Sequence, residues 1–380
     1  MRPGVRFHNG EPLLTNHVVD TLLALEPLNM FSHIKDVSSP ANCVVDVFLT
    51  RPDKHFPLSL TESVAKVTLP MILRGEDYDI RPIGTGPYRI EKNDDKQLVL
   101  TAFNGYFGFR PLIDRVEVWV VDEAYSSMVY PSLSKPVMAD RGDSDEVELD
   151  PGCTYLLLNR KKGIAQDPAW AQFLSNTLNA ADLFVHIPKE TVIDLGVLHA
   201  YGIKPGWYDI KLNTPVCPPA NAKPTIRLAY QCQHPMFPTL AKAIVTVLKQ
   251  YDVDVELYGY ETDPPHADNV DIWINPMGIA NNRDDALAGW LMDYSFLDES
   301  SPAEDFDQWC HMIDRWRSGE FEQFPARQLG KQLVQSNQLI PMFHCWLGVN
   351  KDQCGTLQNA KCNALGWFDF SQVWVKPDVD

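Results

Sequence analysis

The sequence contains no apolar run of the roughly 18 residues that a membrane-spanning helix needs. Its first residues also lack the basic start and apolar stretch of a signal peptide, so the chain as given carries no export signal. Basic residues are scarce: 33 Lys plus Arg stand against 50 Asp plus Glu, for a formal net charge of -17. Such a balance repels phosphate backbones and anionic lipid, which argues against direct contact of this segment with nucleic acid or membrane. Catalytic signatures are missing as well. There is no G-x-S-x-G elbow, no H-E-x-x-H pair, no Walker loop and no C-x-x-C. No catalytic residues, cofactor or metal are therefore expected, and a binding module is favoured over an enzyme.

What is present supports a large core. The chain has 380 residues, 45% of them hydrophobic and 11% aromatic, enough for two or three compact lobes. Eight cysteines (Cys43, Cys153, Cys217, Cys232, Cys310, Cys345, Cys354 and Cys362) are spread without tight spacing. A domain this large does not need disulfide staples, so free thiols in a reducing compartment are the favoured reading over disulfides. The opening "RPGVRFHNG" reads as strand and turn with no preceding element to pair with, as in an N-terminally truncated fold.

Along the chain, Thr15 can cap a helix running to about Leu25, with Val18, Val19, Leu22 and Leu25 on one face. Cys43 to Thr50 reads as a strand, and "KHFPLSLTES" as a short helix or loop before an apolar piece near 67–73. From Ile83, two β-rich runs flank the polar turn Asn93 to Lys96 and predict a hairpin, with another strand over Asp114 to Asp122. Ser132 to Pro151, rich in Asp, Glu and Ser, predicts a surface loop. Beyond it come a strand at Cys153 to Asn159 and a helix at Ala169 to Leu178. Thr225 to Tyr230, the stripe from Phe237 to Leu248 and Val253 to Tyr260 then predict a strand-helix-strand unit with parallel strands. Val270 to Asn275, helices near Asp305 to Arg317 and Phe324 to Asn337, and a strand at Leu339 to Val349 complete the pattern.

Isolated motifs carry little. Gly84 and Gly86 are flanked by Pro82 and Pro87, which suits a structural turn better than a phosphate cradle. His344, Cys345, Cys354 and Cys362 match no common zinc spacing. Asp284, Asp285 and Asp293 read as solvated helix positions, and the Arg141-Gly142-Asp143 tripeptide is uninformative by chance frequency. Trp273, Trp290, Trp346 and Trp367 lie on or near strand ends, where ligands of α/β folds tend to sit, although most Trp residues are core.

Three stretches together resemble the family 5 extracellular solute-binding (oligopeptide-binding-like) proteins. Arg2 to Leu25 resembles that family's Gly-Val-x-Phe-His-Asp-Gly-x-Pro signature and the helix after it. Ile83 to Val121 resembles its Gly-Thr-Gly-Pro-Tyr hairpin and Tyr-Trp-Gly segment, here Tyr106, Phe107 and Gly108. Cys153 to Leu178 resembles its strand, Asn and helix, with Ala171 where an Arg is usual. The tail, Leu339 to Val349 with Asn363 to Trp374, and His33 to Pro40 are similar to the C-terminal solute-binding domain of SgrR-type sugar-phosphate-stress transcriptional regulators, cytoplasmic proteins with a DNA-binding head upstream.

The resemblance implies a two-lobed α/β fold of the periplasmic-binding-protein-like (type II) class, N-terminally truncated. Residues 1–82 would be a small α/β subdomain of lobe 1; 83–152, completed by 343–380, the lobe 1 sheet; and 153–342 lobe 2. It implies a cytoplasmic sensor that closes on a small metabolite such as a sugar phosphate. The alternative is a periplasmic receptor delivering peptides or other solutes to an ABC permease. Peptide binders of the family follow the strand equivalent to Val270 to Asn275 with a Trp and an Asp that holds the peptide's amino terminus, whereas this chain has "NPMGIANNRDD". Asn275, Asn281, Asn282 and Arg283 on that loop, with His344 and Trp346 on the returning strand, are the candidate ligand-binding residues; their amides, guanidinium and indole suit a polyhydroxylated or phosphorylated molecule.

Overall fold

The computed structural model describes residues 1–69, 80–120, 146–189, 197–210, 217–219, 224–234, 236–279, 283–294, 296–349, 357–359 and 369–376. Near the N-terminus, helix α1 (Thr15–Ala24) buries Leu22 and packs Val18 and Val19 against the core, as its spacing predicts. Thr15 is not its cap. The helix already starts there, and the cap position is Leu14, whose N–H donates to Nδ1 of His17 (3.2 Å). β1 (Ile34–Ala41) pairs antiparallel with β2 (Val44–Leu49). β1 escaped the sequence reading because only Ile34 and Val37 are buried, which leaves no alternation to detect. The short helix α2 (Phe56–Ser59) follows. β3 (Tyr88–Asn93), β4 (Gln97–Ala102) and β5 (Arg115–Trp119) form the expected hairpin and its third strand, a three-stranded antiparallel sheet.

The two motif-bearing stretches of this half are bonded to each other. His8 accepts at Nδ1 from the N–H of Gly84 (3.3 Å), and its Nε2 donates to the carbonyl of Gly86 (3.1 Å). Its own N–H donates to the Gly84 carbonyl (2.9 Å). The Gly-x-Gly is thus a structural turn held by one imidazole.

The remaining elements build a seven-stranded mixed sheet. These are β6 (Glu146–Leu149), β7 (Thr154–Leu158), α3 (Pro168–Thr177), α4 (Ala180–Phe184), β8 (Val197–His199), β9 (Thr225–Gln231), α5 (Phe237–Lys249), β10 (Asp254–Tyr260), β11 (Ile272–Pro276), α6 (Ala286–Gly289), α7 (Leu297–Ser300), α8 (Ala303–Arg317), α9 (Ala326–Gln335) and β12 (Leu339–Val349). The order is β10-β9-β11-β7-β12-β6, with β8 also on β12. β9-α5-β10 is the expected strand-helix-strand unit, and its strands are parallel. Every residue of β7 is buried, the mark of a strand covered on both faces. Leu156 and Leu158 point into a core with α3, α4 and α5. Tyr155 and Leu157 point into a second core with Trp273, Trp290, Trp309 and the N-terminal residues Leu22, Met30, Phe31 and Phe56. The buried Asn159 at the end of β7 donates to the carbonyls of Ala267 and Val270 (both 2.8 Å), tying β7 to the start of β11.

One expectation changes. Of the surface loop predicted over Ser132 to Pro151, residues 132–145 lie outside the described residues, and Glu146–Leu149 are strand β6, made by pairing with the far end of β12. In the N-terminal segment, Met30, Asp53 and Ser59 make polar contacts to Asp293 and Arg317. In β12, residues 339–343 pair with β7 and 346–349 with β6. The tail does touch the hairpin sheet, where Tyr88 Oη donates to the carbonyl of Phe370 (3.1 Å). Residues 357–358 and 374–375 form the last pair, β13 and β14.

One pH response follows from the packing before α5. Burial pushes His234, stacked on Phe237 at 3.7 Å and accepting the Met236 N–H at Nδ1, down to about 4. A histidine kept neutral in the fold contributes stability that is complete above the unfolded value near 6.5 and is lost as pH falls from there toward 4. His234→Asn, which keeps an acceptor for Met236, should reduce the fall in unfolding free energy between pH 7 and 4.5 by about 2 kcal/mol after solvent screening. Parallel pH profiles of the two proteins would refute it.

Candidate ligand-binding site

The site grows from one end of the large sheet, where β7, β11 and β12 change partners. The N–H of Met277 donates to the carbonyl of Cys153 (2.8 Å), and the N–H of Asp150 to that of Cys345 (2.7 Å). His344, 3% exposed, donates from Nδ1 to the carbonyl of Gly152 (2.6 Å). Burial lowers the His344 pKa against the opposing pull of that bond and of Asp150. Asp150 is itself raised, chiefly by burial. Burial also pushes the Cys345 thiol up to about 12 and raises that of Cys153, so both are protonated and unreactive at neutral pH.

Asn275, 4% exposed, lies directly across from Tyr155 in the β11–β7 register. The Trp290 ring stands edge-on to the Tyr155 ring, with centroids 5.6 Å apart at 87°. Trp290 opens a single turn of π-helix, Trp290–Tyr294, a distortion often found at functional sites. Tyr155 Oη, Asn275 Nδ2 and Trp290 Nε1 are all buried together, and the amide and the indole donate toward the phenol oxygen, each opposing the rise that burial gives its pKa.

Charged groups rim this end. Arg283 binds Asp285 through both arms of its fork, with Nε to Oδ1 at 3.0 Å and Nη2 on Oδ2. Glu62, raised chiefly by burial, feels Arg283 in one direction and Asp285 and Asp293 in the other. Asp284 pairs with Lys204, and Asp293 accepts the Met30 N–H (3.2 Å) and is raised by burial. The three aspartates are engaged rather than merely solvated, Asp284 and Asp285 by basic partners and Asp293 by the N-terminal segment, although the Asp284 side chain stays half exposed. Among the described residues no group of three or more His, Cys, Asp or Glu side chains is placed to hold a metal ion.

Of the residues singled out from sequence, Asn275 and His344 are brought to the same end of the sheet through Gly152, Cys153 and Met277. Arg283 stands on the rim, its fork engaged. Asn281 and Asn282 lie outside the described residues, and only the backbone of Trp346, paired with Leu149, is described. Sequence reasoning passed over Tyr155 as strand interior. Its signal was the buried strand itself, which leaves a phenol oxygen no access to water. Trp290 was noted only as one aromatic among several.

Residues 1–169 match the model of bacterial extracellular solute-binding proteins, family 5 Middle. The fold of the whole chain overlays on that of NikA from Brucella suis in complex with Fe(III)-EDTA, with a TM-score of 0.69, 18% identity and coverage of 99% of this chain and 87% of that one. It also overlays on the oligopeptide-binding protein AppA from Bacillus subtilis in complex with a nonapeptide (TM-score 0.72, 15% identity, 99% and 86% covered). The chain has the family 5 solute-binding fold. The chain is 30% identical over 386 residues to the HTH-type transcriptional regulator SgrR of Escherichia coli O157:H7, and 28% identical over 379 residues to SgrR of Salmonella typhimurium strain LT2. Each alignment covers 99% of this chain and 66% of the regulator, so the chain spans just under two thirds of the relatives' length. The fold is of the type II periplasmic-binding-protein class, as the sequence resemblance implied.

Proposed function

We propose that this chain is the ligand-sensing part of a transcriptional regulator: a small metabolite, such as a sugar phosphate, binds between two lobes and its closure resets an attached DNA-binding head. The observation that carries this reading is the alignment with SgrR regulators over 99% of the chain. In this reading one lobe is 1–82 and 83–152 with 343–380, and the other is 153–342. The ligand lies against Asn275, Asn281, Asn282, Arg283, His344 and Trp346. The role is binding rather than turnover, and the compartment is the cytoplasm. Six free cysteines among the described residues (Cys43, Cys153, Cys217, Cys232, Cys310 and Cys345) favour a reducing environment, and the net charge of -17 leaves DNA contact to the head. A ligand works as a signal only if it prefers the closed form, since equal affinity for both forms shifts nothing.

The second reading, a periplasmic receptor feeding an ABC permease, is favoured by the structural likeness to peptide and metal-chelate binders. Thermal unfolding of the chain with glucose 6-phosphate, glucose or trialanine separates the two. A ligand at 100 times its Kd adds about 2.7 kcal/mol to the native state. Stabilisation by a sugar compound is expected, and stabilisation by trialanine alone would give the transport reading precedence. The Arg283 fork is already satisfied by Asp285, so a phosphate must displace that carboxylate. Arg283→Ala should accordingly weaken glucose 6-phosphate by about 1.5 kcal/mol, the low end for a charged hydrogen bond, and leave glucose unchanged. Equal losses for both would remove Arg283 from the phosphate site.

A further inference from the structure

Large apolar side chains stand in water around the place where the chain begins. Val5 and Phe7 are buried, and His8, bonded to Gly84 and Gly86, also sets its ring edge-on to Phe103 with centroids 5.1 Å apart. The first residues are thus fixed on the hairpin sheet, and Met1 and Arg2 touch two further elements. The nitrogen of Met1 donates to the Cys43 carbonyl (2.5 Å) at the turn between β1 and β2, a bond that a peptide N–H makes equally well. The Arg2 guanidinium lies 4.9 Å from the centre of the Phe107 ring, in the loop between β4 and β5. That loop exposes Phe107, Phe109 and Leu112, the last two 100% and 74% exposed. β2 exposes Val44 and Phe48, while Val45, Val47 and Leu49 pack on the core. Single exposed apolar residues are ordinary, but these are not loose tips. Arg110, next to Phe109, holds the loop by donating to Asn104 Oδ1 (2.7 Å), to the Pro111 carbonyl (2.9 Å) and to Asp114. The N–H groups of Ala102 and Phe103 close its base on the carbonyls of Asp114 and Pro87 (both 2.8 Å). β1 and β2 make a sheet of only two strands among the described residues, so β2 keeps a free edge beside the same place.

Resting on the sensor reading above, in which a DNA-binding head precedes Met1, we infer that Val44, Phe48, Phe107, Phe109 and Leu112 form the docking surface for the polypeptide immediately upstream of Met1. Position selects this occupant first: Met1 and Arg2 lie against both halves of the surface, so residues ahead of them are delivered to it. Length is the second argument. The alignment with SgrR of Escherichia coli O157:H7 spans 66% of that regulator, which leaves about a third of its length to cover such a surface. Chemistry is the third: exposed aromatic and aliphatic groups on a chain of net charge -17 suit apolar side chains of a protein segment, and they repel nucleic acid and anionic lipid. Because Arg110 already fixes the loop, little of its freedom is lost on docking. In the sensor reading both halves of the surface belong to the same lobe. Docking therefore fixes the head to that lobe, and closure on the ligand moves it relative to the other.

Hydrogen exchange on the full-length protein that the gene encodes, beside the chain beginning at Met1, tests this. Amides of residues 43–48 and 103–113 should exchange about tenfold more slowly in the full-length protein. Phe109→Ser should leave the melting temperature of the shorter chain unchanged, since its ring is wholly exposed there, yet remove most of the added protection in the full-length protein. Val185→Ser, an exposed apolar residue at the end of α4, should change neither. Equal exchange in the two proteins overturns the inference and leaves the sensor reading standing, as does full protection in the Phe109→Ser full-length protein. Sedimentation showing dimers of the shorter chain that Phe109→Ser dissolves also overturns it, by giving the surface to a second copy. A gene that encodes no DNA-binding head before Met1 removes the sensor reading and this inference with it.

Discussion

Asp53→Ala should lower the unfolding free energy by about 3–5 kcal/mol, the usual effect of removing one partner of a buried ion pair. Asp53 and Arg317 have side chains 1% and 2% exposed, with Arg317 Nε 3.6 Å from Asp53 Oδ2. Asp53 also accepts from His33 Nε2 (3.0 Å) and from the N–H of His55 (2.8 Å). Arg317 donates to the carbonyl of Met30 (3.0 Å), and its own carbonyl receives the N–H of Lys54 (2.8 Å). This one guanidinium at the end of α8 therefore joins the N-terminal segment to the second core. Burial depresses the Arg317 pKa, with Asp53 the largest opposing charge, so alanine at 53 strands a desolvated cation. Urea unfolding followed by Trp fluorescence measures the loss, and a change below about 1 kcal/mol would show that water reaches Arg317. The double variant Asp53→Leu with Arg317→Met should recover most of the loss, since an apolar pair carries no desolvation cost. The pH dependence has a definite sign. Burial raises the Asp53 carboxyl, but the His33 bond, the Arg317 charge and the His55 N–H together hold it below the usual carboxylate range. Its contribution is then full above the unfolded value near 3.9 and fades as pH falls through the lower folded value, so wild type and Asp53→Ala should converge in stability under acid.

Elements whose side chains face two environments, or a core on both sides, were legible in the sequence. β7 announced itself as an unbroken apolar run, and β9-α5-β10 as a change of period from 2 to 3.6 and back. β1, β6 and β8 were not legible, because short or exposed strands are made by their partners: β6 exists through the far end of β12, and β8 through Phe343 to Cys345. The site was half legible. A polar loop after a buried strand pointed to Asn275, and the geometry joins it to His344. Arg283 looked like an unoccupied anchor, yet Asp285 two residues on was in plain view as its partner. The cluster of Tyr155, Asn275 and Trp290 could not be read at all. Tyr155 and Trp290 meet only because β7 faces the π-turn in space, and a π-turn leaves no distinct mark on the pattern of apolar residues.

The same junction supplies the sharpest contrast between two neighbouring glycines. A Cβ on Gly152 would lie 1.7 Å from the carbonyl oxygen of Met277 and 2.8 Å from its carbonyl carbon, both backbone atoms. A Cβ on Gly278 would meet nothing within 4 Å. Gly152 cannot step aside, because its N–H is held by Asp150 Oδ1 (2.9 Å), its carbonyl receives His344, and the next residue accepts the Met277 N–H. Alanine at 152 must therefore push the start of the 276–279 loop off β7 and break the Met277 to Cys153 bond. Overpacking of about 1–3 kcal/mol and the loss of one hydrogen bond of about 1 kcal/mol put Gly152→Ala at roughly 2–4 kcal/mol of destabilisation. Gly278→Ala should stay within about 0.5 kcal/mol of wild type. Since Asn275 sits at the base of the displaced loop, Gly152→Ala should also abolish binding of any ligand that the cleft holds, at temperatures where the protein is still folded. Circular dichroism melts with calorimetry on the two variants decide it. Equal melting points would mean that the loop can yield at no cost, and the close approach of the two backbones would then not be what fixes Asn275 opposite Tyr155.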